Sequence, residues 1–111
     1  MVKLADGNYQ PIKFVLDSGA DCTMVPRRMA HLVRYSLPAQ PDTSVSGIYG
    51  GRMPGYSGRI KLQIQSEDFE VRCVFTQSNR TPFLLGRLDF FSFFNVQFDG
   101  RNCHIILERV I

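Results

Sequence analysis

The chain has 111 residues, 44% hydrophobic and 21% charged, with a formal net charge of +3. That size and balance suit a single compact domain over residues 1–111, able to build a modest core without staples. No apolar run is long enough to cross a bilayer as a helix. The basic residues are scattered, with Arg27-Arg28 the one adjacent pair, which argues against a nucleic-acid partner.

Taken in chain order, the sequence reads as short strands broken by turn signals, the pattern of an all-β domain. Met1–Ala5 and Tyr9–Leu16 are expected as strands around an Asp6-Gly7-Asn8 hairpin turn. Cys22–Val25 is a further short strand. Pro26 then opens a helix over Arg27–Val33, because proline is tolerated in a first helical turn. Leu37–Asp42 is a loop. Five glycines fall within Ser46–Gly58, which excludes a helix there and suits a mobile hairpin or loop. Arg59–Gln65 alternates polar with apolar residues, as a half-buried strand does. Ser66-Glu67-Asp68 is expected to turn the chain into a second alternating strand, Phe69–Phe75. Thr81–Gly86 contains a buried strand. Arg87–Phe94 is dense in phenylalanine and can form a short helix. Asn95–Phe98 and Cys103–Glu108 make a final hairpin around Asp99–Asn102.

Chemistry concentrates at Asp17. It ends the apolar run Phe14-Val15-Leu16 and precedes Ser18-Gly19-Ala20. A carboxylate at the end of a buried strand needs partners, since burying a lone charge is expensive. Gly19 permits a sharp turn, and Ser18 brings a hydroxyl that can bond across a tight loop. Asp-Ser-Gly alone is also ordinary turn chemistry, so the wider context decides.

That context, Val15-Leu16-Asp17-Ser18-Gly19-Ala20-Asp21-Cys22-Thr23-Met24-Val25-Pro26, then the glycine-rich stretch around Ile48-Tyr49-Gly50-Gly51, then Leu84-Leu85-Gly86-Arg87, resembles the retropepsin-like aspartic proteases. The ending Arg87-Leu88-Asp89-Phe90-Phe91 and its hairpin resemble the bacterial and cellular branch more than the viral one. The resemblance implies a closed, barrel-like all-β domain with one or two short helices, a flap hairpin and a twofold homodimer. It implies Asp17 as the catalytic carboxylate, Ser18, Gly19 and Ala20 as its loop, and an ion pair between Asp21 and Arg87. Gly47, Ile48, Tyr49, Gly50 and Gly51 take the place of a substrate-binding flap. Ser18 replaces the threonine of the viral branch and keeps the hydroxyl.

Hydrolysis without a metal needs one group to activate water and another to protonate the leaving amine, and two carboxylates sharing a proton supply both. The chain has ten acidic residues but one Asp-Ser-Gly, so the second carboxylate is expected from a second copy across a twofold axis. The implied partners are a homodimer and an extended peptide substrate, with no cofactor and no metal. The three cysteines, Cys22, Cys73 and Cys103, are odd in number and widely spaced. They are expected as reduced thiols in a cytoplasmic protein, unless the domain belongs to a longer membrane-anchored or polyprotein precursor. A Cys22 nucleophile would need a base, and nothing places His31 or His104 beside it. A non-catalytic dimerisation or peptide-binding module of the same fold remains the alternative.

Overall fold

The computed structural model describes residues 1–17, 19–48 and 51–110, with the backbone alone at 47–48. The chain is mostly β. Its strands are β1 (Val2–Lys3), β2 (Tyr9–Gln10), β3 (Val15–Leu16), β4 (Thr23–Pro26), β5 (Thr43–Ile48), β6 (Gly51–Ile64), β7 (Glu67–Thr76), β8 (Leu84–Leu85), β9 (Phe94–Asp99) and β10 (His104–Arg109). Among the described residues there are two short helices, α1 (Arg28–Val33) and α2 (Phe90–Phe93). The main sheet runs β2-β1-β6-β7-β4-β8-β3, with β5 paired to β6, and curls into a half-barrel. β9 and β10 form a separate two-stranded sheet.

The β6–β7 hairpin is the spine. Its register sets Ile60 opposite Val71, Leu62 opposite Phe69 and Tyr56 opposite Phe75. The period-two alternation read in the sequence therefore puts every second residue on one face. That face is the core, where Val25, Met29, Phe75 and Phe90 join it with 1% exposure or less. Burying a phenylalanine on this scale contributes roughly 2–3 kcal/mol.

Several boundaries differ from expectation: β6 begins at Gly51 rather than Arg59, α2 spans Phe90–Phe93 rather than Arg87–Phe94, and two further differences have a local cause. The expected strand Tyr9–Leu16 is two strands, β2 and β3. Pro11 lies between them and has no N–H to continue a ladder. The chain then leaves β1 and pairs in parallel with β8, Val15 opposite Leu84. The turn placed at Ser66-Glu67-Asp68 is instead Gln65-Ser66, with φ of 53° and 73°, closed by Ile64 opposite Glu67. A two-residue hairpin loop of type I′ takes left-handed backbone at both central positions, which matches strand twist. Strand pairing imposes that conformation on residues that do not favour it.

Helix α1 ends at Arg34, which is left-handed at φ 52°. Helix α2 follows Asp89, another residue at positive φ (67°). Arg72 holds Asp89 there. Its backbone N–H and Nε donate to Asp89 Oδ2 at 2.8 and 3.0 Å, and Nη2 donates to Oδ1 at 2.9 Å. This fork fastens α2 to β7. Farther on, Arg109 pairs with Glu67 and lies over the Phe69 ring, tethering β10 to the same hairpin.

The hydrogen bonds from Arg72 hold the Asp89 carboxyl below its ordinary range. A carboxyl depressed in the folded state stabilises the protein above its unfolded pKa, near ~3.9, and that stability is lost as pH falls through the depressed value. Asp89→Asn is expected to lower the melting temperature at neutral pH. The gap to the parent should close as pH drops below about 4. Thermal melts across pH check this, and a pH-independent gap would contradict it.

Candidate active site

Three short segments converge at the end of β3. Val15 N–H donates to Phe83 O at 2.9 Å, and Asp17 N–H donates to Leu85 O at 3.0 Å. The chain then turns at Asp17, whose carbonyl accepts Ala20 N–H at 3.2 Å. The Asp17 side chain closes the same turn, with Oδ1 accepting Gly19 N–H at 2.9 Å. One carboxylate oxygen is thereby engaged by the backbone and the carboxylate is oriented by its own loop. A Cβ on Gly19 would lie 3.3 Å from that oxygen.

The return path is laced to the segment after β8. Arg87 N–H donates to Ala20 O at 2.9 Å, and Leu88 N–H donates to Asp21 O at 2.8 Å. Gly86 N–H donates to Thr23 Oγ1 at 3.3 Å. Arg87 Nη2 donates to Asp21 Oδ1 at 2.5 Å. Both of those side chains are largely exposed, so the pair contributes little energy by itself. The backbone bonds beside it do more to fix the loop. Gly86 is required by space, because a Cβ there would meet the Cys22 backbone at 2.4 Å.

Asp17 opens on a cavity of about 410 Å³. Gly19, Ala20, Asp21 and Cys22 line it from the loop, Met24 and Leu84 from the sheet, and Ser44, Val45 and Ser46 from β5. Sequence reasoning missed Met24, Val45 and Leu84 as cavity walls. The sequence signalled for Met24 only a place in a short strand, Cys22–Val25. All four residues of β4 are buried, which requires cover on both faces. Val25 enters the principal core, while Met24, 3% exposed, stays outside it and faces the cavity.

The glycine-rich stretch forms the β5–β6 hairpin, with Val45 opposite Met53 and Ile48 opposite Gly51 and a register shift between Ser46 and Ile48. Arg52 donates to Ser44 Oγ across it, at 3.0 Å from Nη2. Gly51 is exposed at the start of β6. Gly47 and Ile48 belong to β5 by backbone alone. Ser18, Tyr49 and Gly50, also expected in the site, lie outside the described residues.

Gly86→Ala is expected to destabilise the chain by about 1–3 kcal/mol, because the neighbour is backbone that cannot turn aside. Gly51→Ala, with nothing among the described residues within 4 Å of the added carbon, should change stability by no more than about 0.5 kcal/mol. Urea denaturation midpoints compare the two, and equal midpoints would contradict the packing argument.

Comparison with known proteins bears on the family and the fold. A family model described as aspartyl protease matches residues 1–88. Among solved structures, EIAV protease complexed with the inhibitor HBY-793 superposes with a TM-score of 0.56 at 21% sequence identity, over 78% of this chain and 77% of that one. At that identity the likeness establishes the fold. With the family model spanning most of its length, the chain belongs to the aspartyl protease family and carries the retropepsin-like fold.

Proposed function

We propose that the chain is a single-domain aspartic endopeptidase that works as a homodimer, with the two Asp17 carboxylates hydrolysing a peptide bond between them. The observation that carries this reading is Asp17 itself. It is half-buried on a cavity wall, and a backbone N–H 2.9 Å away orients its carboxylate. Ser18, Gly19 and Ala20 form the active-site loop, and Asp21 with Arg87 braces it. Gly47, Ile48, Tyr49, Gly50 and Gly51 act as the flap over an extended peptide. That peptide is held by backbone hydrogen bonds in the manner of an added strand.

The mechanism follows from like-charge repulsion. Two carboxylates a few ångströms apart cannot both ionise, so they share a proton and titrate as a pair. The ionised member takes a proton from water as it attacks the carbonyl carbon. The protonated member hydrogen-bonds the carbonyl oxygen, and a proton then passes to the leaving amine. Neither chain alone holds both roles, so catalysis requires the dimer. Within a longer precursor, the same chemistry would release the domain from its flanks.

Asp17→Asn keeps the oxygen that accepts Gly19 N–H and removes the ionisable group. It is expected to fold normally and to lose at least about a hundredfold in peptide cleavage. Unchanged cleavage would exclude the dyad, and a parent protein that cleaves nothing in a peptide library would favour a peptide-binding module. Sedimentation should give the mass of two chains, with activity per chain falling on dilution as the dimer separates. Full activity in a monomer would contradict the shared site.

A further inference from the structure

Two of the three cysteines line one cavity behind the proposed catalytic loop. β4 and β7 are parallel neighbours with Thr23 opposite Cys73. Cys22 is the residue just before β4. Neighbouring strands lie ~4.8 Å apart and rise ~3.3 Å per residue. A one-residue offset therefore sets the two Cα atoms about 6 Å apart, inside the span a disulfide bridges. Cys22 sits in the bend that precedes β4, so the strict face alternation of a strand does not govern its side chain. Both residues line one cavity of about 360 Å³, together with Tyr35, Gly58, Arg72 and Leu88.

We propose that Cys22 and Cys73 are a redox pair, a dithiol that peroxide closes into a disulfide between β4 and β7. Their environments assign the order of events. Cys22 is half-buried and also lines the cavity that holds Asp17, so a small oxidant reaches it. Cys73 is 3% exposed and shielded. The Cys22 sulfur attacks hydrogen peroxide, the O–O bond breaks, and sulfenic acid and one water form. The Cys73 sulfur then attacks the Cys22 sulfur, the S–O bond breaks, and the disulfide and a second water form. Two electrons leave the pair of thiols and reduce one peroxide. Burial, and then Asp21, hold the Cys22 thiol above its ordinary value, while burial, and then Cys22, raise Cys73. Both groups therefore rest as protonated thiols, and the first step proceeds through the small thiolate fraction of Cys22.

The bridge would draw Cys22 from the wall of the Asp17 cavity and tie the entry of β4 to β7. Cys103 is exposed in the turn between β9 and β10, so the test uses the Cys103→Ser chain to remove bridging between molecules. After hydrogen peroxide, intact mass should fall by two hydrogens, and digestion should yield one peptide joining Cys22 to Cys73, released by dithiothreitol. In Cys103→Ser/Cys73→Ala the second step is blocked, so Cys22 sulfenic acid should be trapped by dimedone. Cys22 advancing to sulfinic acid in the Cys103→Ser chain while Cys73 stays alkylatable after unfolding would overturn the proposal. So would recovery of both thiols unchanged. None of these readouts depends on peptide cleavage, so they stand or fall apart from the protease reading.

Discussion

The molecule depends on the backbone lacing between two segments far apart in sequence, Asp17–Thr23 and Leu85–Leu88. Asp17 N–H reaches Leu85 O, and two amides after β8 reach the carbonyls of Ala20 and Asp21. Each such bond is worth only about 1 kcal/mol net. Together they leave the loop one path. That path passes so close to Gly86 that no side chain fits there. The carboxylate of Asp17 is therefore positioned by main chain, which has far fewer ways to relax than side chains do.

The surrounding sheet serves two purposes because β4 is covered on both faces. Val25 goes to the principal core, against the spine of β6 and β7. Met24 goes to the opposite face and forms part of the Asp17 cavity. A single four-residue strand thus ties the stability of the domain to the shape of its site. The same junction brings Cys22 beside Cys73. Thiol chemistry there would act on the segment that carries the loop.

Much of this was legible from local pattern. The alternation in Arg59–Gln65 and Phe69–Phe75 marked the two strands of the spine, because a period of two has one structural meaning. The Asp-Ser-Gly turn and Leu84-Leu85-Gly86-Arg87 marked the two segments that meet. Other features were opaque for identifiable reasons. Ser66 reads as turn chemistry but Gln65 does not, and the left-handed backbone of both is imposed by the pairing of Ile64 with Glu67. Asp89 looks like an ordinary surface acid until Arg72, seventeen residues earlier, is placed against it.

Local chemistry in the sequence determined which residues could form strands, which turn could hold a carboxylate, and where glycine was needed. Periodicity and backbone preference act over a few residues, so they are written in the order of the amino acids. Tertiary structure alone decided that Asp17 faces a cavity walled by Met24, Val45 and Leu84, that Gly86 is pressed on Cys22, and that two thiols fifty-one positions apart share one space. Those relations arise from strand order and register across the sheet. Parallel pairing of β4 with β7 and of β3 with β8 joins residues that no local pattern connects.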